Sequence, residues 1–294
     1  MFTCRWFQEE HKFDDAEVRK GSNHHLALPG KKGICFRFQA EGKQGSWKEN
    51  LPKVTALKPY WNYSWGINCI DAQPSHIEYI PMVWGGKWTP DSLRAELEKA
   101  MQAGNIKRIF AFNEPDRSDQ SNMEVSKAID LWPVLQEFGL PIASPSCSAP
   151  SGEWMAEFMK HAQNRSYQVD YVGVHWYGEP SVKSFQATMR EHHKNHKKPL
   201  IITEFAPADW KAKNPQENRH TRATVLAFMK EAIPWIEEQD WIIGYSWFPF
   251  PADSKMGTCS ALFKKDGSMT VLGQFYASVS KENPHGDQSI EAWA

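Results

Sequence analysis

Short apolar segments alternate along the chain with longer segments in which apolar residues recur at helical spacing. Ile109-Phe-Ala-Phe112 is a near-continuous apolar run, which is typical of a strand covered on both faces. In residues 89–104, Leu93, Leu97 and Met101 form one apolar stripe after a Thr-Pro-Asp helix start. Apolar segments of this kind predict strands near residues 33–36, 58–65, 77–84, 106–112, 140–144, 169–177, 200–205 and 241–248.

The alternation of strands and helices predicts an α/β protein with a parallel sheet. We count eight strand–helix units, which at this length match the (β/α)8 TIM barrel. No composition shift marks a second domain, so we expect residues 31–280 to form a single domain, with a lead segment of unknown role (1–30) and a tail (281–294). A doubly wound open sheet is the alternative, but the chain lacks the glycine-rich phosphate motifs of its nucleotide-binding versions.

Composition excludes several classes of function. A net charge of -1 leaves no basic stripe for nucleic acid, and no apolar run reaches the roughly 18 residues of a membrane span. The first 30 residues are polar and lack the apolar core of a signal peptide. The five cysteines have no metal-type spacing and predict buried free thiols, although one disulfide stays open. The unusual count is 14 tryptophans, which suit either a core or a groove for sugar rings.

Two predicted strands each deliver a glutamate at their C-terminal end. Pro115 cannot extend a central strand, so Glu114 lies where strand four stops. The segment from Pro199 to Pro207 repeats the layout and ends its apolar run in Glu204. In a (β/α)8 barrel this end carries the active site. The predicted rim is polar and aromatic: Arg37, Trp65, Trp84, Asn113, Glu114, Ser144, His175, Trp176, Tyr177, Glu204 and Trp247.

A pair of carboxylates facing one cleft suits the cleavage of glycosidic bonds. One carboxyl group must be protonated to donate to the leaving oxygen, and the other must be ionised as nucleophile or base. The residues alone do not choose between retention and inversion. They also leave blander roles open: structural ion pairs for the glutamates and Arg37, and rim packing for Trp65 and Trp84. Trp176 alternates away from the site and is expected in the core, and His192, His193 and His196 are expected on a solvated helix face.

From about Lys32 to Val279 the chain resembles clan A glycoside hydrolases, through Asn-Glu-Pro (113–115) and the glutamate of strand seven. Phe-Asn-Glu-Pro-Asp (112–116), His-Trp-Tyr (175–177), Ile-Thr-Glu-Phe-Ala (202–206) and Tyr-Ser-Trp-Phe (245–248) look like glycoside hydrolase family 128, the endo-β-1,3-glucanases. The resemblance implies a retaining double displacement with Glu114 as acid/base and Glu204 as nucleophile. It also implies that Asn113 holds the sugar 2-hydroxyl, that Tyr177 or His175 orients Glu204, and that Trp247 is a sugar platform.

We therefore expect a monomeric glycoside hydrolase whose catalytic domain (31–280) cuts β-1,3-glucan internally, without metal or organic cofactor. Arg37, Trp65 and Trp84 are the further candidate substrate-binding residues. One alternative is a clan A hydrolase of another linkage, such as β-1,4-mannan or β-1,4-glucan. The other is a non-catalytic glucan-binding protein, which would need neither glutamate. A polymeric substrate favours an extracellular or periplasmic location, against the absence of a signal peptide in the first 30 residues.

Overall fold

The computed structural model describes residues 27–38, 46–104 and 106–292, so residues 1–26 of the expected lead segment lie outside it. The described residues contain eight strands: β1 (Lys32–Cys35), β2 (Trp61–Tyr63), β3 (Glu78–Tyr79), β4 (Ile109–Phe110), β5 (Ile142–Ala143), β6 (Val172–Trp176), β7 (Leu200–Phe205) and β8 (Ile242–Trp247). They contain seven α-helices: α1 (Trp47–Leu57), α2 (Pro90–Ala103), α3 (Val125–Gln136), α4 (Glu153–Asn164), α5 (Val182–His196), α6 (Arg222–Glu238) and α7 (Val271–Ser278).

The strands form a closed parallel ring. Six of them pair in the order β3-β2-β1-β8-β7-β6, and β4 pairs with β5. The two sheets are joined by isolated parallel bridges, Met82 to Phe110 on one side and Ala143 to Tyr171 on the other. The predicted α/β single-domain fold, a (β/α)8 TIM barrel, is therefore confirmed.

The count of eight strand–helix units was wrong in one unit, because no helix separates β2 from β3. Residues 64–77, all of them described, form turns and irregular loop. This stretch contains Gly66, Asn68, Asp71 and Pro74, which favour turns over helix. The hydroxyl of Tyr79 donates to the carbonyl of Gly66 at 3.0 Å and so ties the loop to β3.

The barrel interior is filled by large side chains that alternate along β2. Trp61 and Tyr63 share one face of the strand, and both are buried within the ring. Their size requires a neighbour without a side chain, since a Cβ at Gly33 of β1 would lie 2.2 Å from the Trp61 ring. Because side chains alternate between the two faces of a strand, Trp65, two residues beyond β2, is on the same face as Tyr63 and points toward the upper mouth of the barrel.

Two lysines at the start of β1 cap the helices beneath the barrel. Lys32 is fully buried, and its Nζ donates to the carbonyls of Leu57, Tyr276 and Val279, at the ends of α1 and α7. Lys31 does the same at the end of α6, where its Nζ donates to the carbonyls of residues 236, 237 and 239. Cationic side chains are stabilised at the negative C-terminal ends of helices. Burial of the Lys32 ammonium group lowers its pKa to about 7.

A buried ion pair closes the lower end of the barrel. Arg108 Nε donates to Glu78 Oε1 at 2.6 Å, and each side chain is only 3% exposed. The guanidinium also donates to the Tyr171 hydroxyl at 3.1 Å and to the Ala27 carbonyl at 3.0 Å. The described end of the lead segment, including Leu28, is thus fastened beneath the barrel.

The expected tail packs against the helices. The amide of Lys281 donates to the Tyr60 hydroxyl at 2.9 Å, and Lys230 Nζ donates to the carbonyl of Gln288 at 2.7 Å. Ile290 and Ala292 pack against the layer between helices and strands. Residues 281–292 therefore extend the packed body of the domain.

The histidines of α5 do not form the expected solvated face. His192 is buried, with Nδ1 2.9 Å from the Ser151 hydroxyl, and burial lowers its pKa to about 4. The ring of His193 stacks on Trp241 with centroids 4.7 Å apart. His196 Nε2 lies 2.9 Å from a backbone carbonyl of the loop after β5. These rings pack α5 against its neighbours, which a lysine-rich pattern does not reveal.

The remaining sequence predictions concern thiols, metals and membranes. Cys35, Cys69, Cys147 and Cys259 are free thiols, of which Cys35 and Cys147 are buried; Cys4 lies outside the described residues. Within residues 27–38, 46–104 and 106–292, no three His, Cys, Asp or Glu side chains are grouped to hold a metal ion. In the same ranges no helix has the length and apolarity to cross a membrane.

Candidate active site

Glu114 lies four residues beyond β4 and is held there by backbone contacts to two neighbouring loops. Its amide donates to the carbonyl of Ser146 at 2.8 Å, and the Asn113 amide donates to the carbonyl of Trp84 at 2.9 Å. The backbone of Glu114 is left-handed, with φ 40°. This conformation is unfavourable in free energy for any residue other than glycine. Asp116 anchors the turn from the other side, because its carboxylate accepts three hydrogen bonds from Ser148 and Ala149 at 2.8–2.9 Å.

Glu204 is the penultimate residue of β7, and three donors lie around its carboxylate, one of which, the Tyr63 hydroxyl, is shared with the Thr203 carbonyl at 3.0 Å. The Trp65 indole N–H donates to Oε1 at 2.8 Å, and the Tyr63 hydroxyl lies 3.2 Å from the same oxygen. The Tyr177 hydroxyl donates to Oε2 at 2.5 Å. Trp65 reaches this position with a left-handed backbone, φ 56°. Both carboxylate oxygens therefore act as acceptors, which fixes the orientation of the Glu204 side chain in the cleft.

His175, on β6, lies between the two carboxylates. Its Nδ1 is 2.9 Å from Oε1 of Glu114 and its Nε2 is 3.5 Å from Oε1 of Glu204. Burial lowers the pKa of His175, but the charges of Glu204 and Glu114 outweigh burial and raise it above its usual value. Arg117 Nε adds a second positive group 3.6 Å from Oε2 of Glu114.

These residues line an open cleft of about 660 Å³ at the C-terminal mouth of the barrel. Trp84 and Trp210 are 40% and 58% exposed, and they are the exposed large apolar side chains of the described chain. Both line the cleft. Its lining consists of Arg37, Ser64, Trp65, Trp84, Asn113, Glu114, Arg117, Asp119, Gln120, Ser148, His175, Tyr177, Glu204, Trp210, Phe248 and Phe250.

The structure brings together eight of the eleven rim residues predicted from the sequence. Ser144 is not among them, since it is fully buried and its hydroxyl donates to the Pro145 carbonyl at 2.9 Å. Arg37, Trp65, Trp84, Asn113, Glu114, His175, Tyr177 and Glu204 all line this cleft. Trp176 packs in the core, stacked on Phe228, as expected.

The prediction for Trp247 was wrong. Its indole is fully buried, donates to the carbonyl of Ser260 at 2.9 Å and packs against Phe205, on the helix side of the strand. Side chains alternate along β8, so the next residue, Phe248, faces the cleft instead.

Comparison with known proteins gives the family. Residues 40–276 match the family model described as "Glycosyl hydrolase catalytic core". The chain belongs to this family. It is a glycoside hydrolase, and the resemblance to family 128 seen in the sequence is confirmed. A comparison with curated protein sequences finds no match.

Solved structures similar to this glycoside hydrolase come from family 128. One is a variant of a subgroup I endo-β-1,3-glucanase from Amycolatopsis mediterranei in complex with laminarihexaose, with 26% identity, a TM-score of 0.71, and coverage of 85% of this chain and 99% of that chain. A subgroup II endo-β-1,3-glucanase from Sorangium cellulosum has 22% identity, a TM-score of 0.66, and coverage of 85% and 98%. A subgroup VI exo-β-1,3-glucanase from Aureobasidium namibiae has 23% identity, a TM-score of 0.66, and coverage of 85% and 96%. The last two support the fold alone.

Several residues of the site are absent from the sequence prediction: Phe248 and Trp210, which line the cleft, and Tyr63, which is fully buried with its hydroxyl 3.2 Å from Oε1 of Glu204. Tyr63 could have been found from period two, since it shares the inner face of β2 with Trp61 and precedes Trp65 by two residues. Phe248 could have been found by the same alternation. Trp210 lies in a loop, where no period sets direction, and its nearest sequence signal is its position six residues after Glu204.

Proposed function

We propose that this glycoside hydrolase cleaves internal β-1,3-glucosidic bonds with retention of configuration, using Glu114 and Glu204. Support comes from its similarity to a family 128 endo-β-1,3-glucanase whose structure holds laminarihexaose. The observation that carries the assignment of roles is the unequal environment of the two glutamates. Three donors point at Glu204, whereas Glu114 contacts a histidine and faces an arginine at the cleft wall.

The first step uses Glu204 as the nucleophile. Because both its oxygens accept hydrogen bonds, it presents an ionised, oriented carboxylate to the anomeric carbon. A bond forms between Glu204 and that carbon while the bond to the leaving sugar breaks. The proton of the Glu114 carboxyl group passes to the leaving oxygen, and a glycosyl ester with Glu204 remains.

The second step reverses the role of Glu114. Now ionised, it takes a proton from a water molecule whose oxygen bonds to the anomeric carbon, and the ester to Glu204 breaks. Two displacements on opposite faces give net retention. Asn113 is placed to hold the sugar, because its buried Oδ1 has no hydrogen-bond partner among the described residues. A hydrogen bond to the sugar 2-hydroxyl would satisfy this oxygen and strengthen in the transition state.

Internal cleavage is supported by the positions of the two exposed tryptophans. Trp84 follows β3 and Trp210 follows β7, and in the ring order three strands separate β3 from β7 on either side. The two indoles therefore flank the cleft from opposite sides of the mouth. A glucan chain could stack on both and extend beyond the cleavage point in both directions.

The test is reducing-sugar release from linear β-1,3-glucan by the wild type, Glu114→Gln and Glu204→Gln, with Glu98→Gln on the exposed surface of α2 as control. We expect wild type and control to release oligosaccharides and both site variants to lose several orders of magnitude in rate. Proton NMR of the first product should show the β-anomer. Release of the α-anomer would contradict retention, and activity only on another β-glycan would contradict the linkage.

We also propose a cellular location and an oligomeric state for this enzyme. A polymeric glucan cannot enter a cell, so we place the enzyme in an extracellular or periplasmic compartment, which fractionation of expressing cells would test. The described residues that line the cleft, including both glutamates, all belong to one chain, which supports action as a monomer. Size-exclusion chromatography with light scattering would contradict this by reporting a dimer mass.

A further inference from the structure

The loop after β7 carries Trp210 into the cleft without burying it. The indole is 58% exposed, and the described contact of its ring is the edge of Tyr177, with centroids 5.6 Å apart. A large apolar side chain with so little packing needs its backbone held from elsewhere to keep one position. The neighbouring residue, Asp209, provides that hold.

Asp209 is buried beneath the loop and saturated with hydrogen bonds. Its carboxylate accepts from the Arg219 backbone amide at 2.9 Å, from Arg219 Nε and Nη2 at 3.0 Å, and from the Lys211 amide at 3.1 Å. Hydrogen bonds from the Arg219 side chain and backbone hold the pKa of Asp209 well below its usual range. This two-pronged arginine–carboxylate contact fixes orientation as well as distance.

Arg219 connects three rim loops through this contact. Its Nη2 also lies 2.9 Å from Oε1 of Glu179, in the loop after β6. The amide of Asp209 donates to the Met256 carbonyl, in the loop after β8, and Asn218 Nδ2 donates to the same carbonyl. The guanidinium therefore joins the loop that carries Trp210 to the loop after β6. The Asp209 amide and the Asn218 side chain join the same loop to the loop after β8, and neither Arg219 nor Asp209 lines the cleft.

We propose that Arg219 and Asp209 form a clamp that fixes Trp210 as a stacking wall for the glucan, so that Arg219 is a positioning residue for substrate binding. The inference rests on the proposed glucanase function. A prearranged wall does not have to be ordered when the sugar arrives. Without the clamp the loop would sample several positions, and the glucan would bind more weakly at an unchanged chemical step.

The experiment compares Arg219→Met and Trp210→Ala with Arg94→Met. Arg94 is the matched control, since it also joins two carboxylates, Asp91 and Glu137, but does so on α2 away from the cleft. Kinetics on laminarihexaose should show KM raised about 5- to 20-fold in both cleft variants with kcat within about twofold of the wild type, and no change in the control. In the Trp210→Ala background, Arg219→Met should add nothing, because it acts through Trp210.

The outcomes separate the clamp from the proposed function. A raised KM in Trp210→Ala with an unchanged KM in Arg219→Met would overturn the clamp. So would additive effects in the double variant, or a fall in kcat at constant KM, which would indicate action through Tyr177. If the wild type does not cleave laminarihexaose and the Glu204→Gln variant does not bind it, the proposed glucanase function is overturned, and this inference with it.

Discussion

The imidazole of His175 lies against the acid/base candidate, with its Nδ1 2.9 Å from Oε1 of Glu114. Its other nitrogen faces Glu204 at 3.5 Å, and the ring is buried. Burial alone would expel a charge from this position. The two carboxylates reverse that tendency and raise the pKa of His175 above 6.5. A protonated His175 therefore offsets the charge of Glu204 and, once Glu114 has given its proton to the leaving oxygen, that of Glu114 as well.

The raised pKa of His175 predicts a pH-dependent contribution to stability. The folded state binds the His175 proton more tightly than the unfolded state, so its contribution is complete below about pH 6.5 and is lost as pH rises through the folded pKa. We expect the difference in Tm between wild type and His175→Gln to be largest near pH 6 and to shrink toward pH 9. Thermal unfolding followed by circular dichroism at closely spaced pH values measures it.

A matched histidine gives the control for this pH series. His193 stacks on Trp241 far from the carboxylates, so the Tm difference for His193→Gln should not follow the same pH course. A constant Tm difference between wild type and His175→Gln from pH 6 to pH 9 would contradict a raised pKa at His175.

Removal of the Tyr177 hydroxyl should impair chemistry more than binding. Tyr177→Phe keeps the ring that packs against Trp210 and Phe248 but removes the donor to Oε2 of Glu204. Hydrogen bonds to charged groups contribute about 1.5–3 kcal/mol, so kcat should fall roughly 10- to 150-fold. Steady-state kinetics on laminari-oligosaccharides measure the change, with Tyr167→Phe beside α4 as control. An unchanged kcat would show that Trp65 and Tyr63 suffice to orient Glu204.

Replacement of Arg108 should be among the most destabilising single changes at the base of the barrel. Arg108→Met leaves Glu78 as a buried carboxylate without its 2.6 Å partner, which costs about 3–5 kcal/mol of unfolding free energy. Urea unfolding measures the loss. The double variant Arg108→Met, Glu78→Leu should recover a large part of it, because no unpaired charge remains. A double variant no more stable than Arg108→Met would contradict this account.

The sequence predicted the barrel and grouped most of the candidate site residues at one end of it, because both depend on where the strands lie. β4 ends at Phe110, and the chain beyond it carries Glu114 to the turn at Pro115, whereas β7 runs to Phe205 and contains Glu204 in its last two residues. The missing helix between β2 and β3 was overlooked because the count assumed one helix per strand. Gly66 and Pro74 carried the contrary signal.

The sequence predictions failed where the direction of a side chain or the packing of a loop decides which residues line the cleft. Trp247 and Phe248 are adjacent, and a one-residue error in direction exchanges core for cleft. Asp209, the neighbour of Trp210, pairs with Arg219 ten residues farther along the chain, and no local sequence pattern predicts that pairing. The contacts of Arg219 can be recognised only in the folded arrangement of the three rim loops.

The hydrogen bond from Trp65 to Glu204 gives the proposed nucleophile a spectroscopic label of its own. The indole N–H points at Oε1 from 2.8 Å, so its proton and nitrogen resonances should respond to every chemical state of that oxygen. Loss of one cross-peak in Trp65→Phe would assign it among the 14 indoles. Free carboxylate, bound sugar and glycosyl ester could then be distinguished in solution by watching a single cross-peak move.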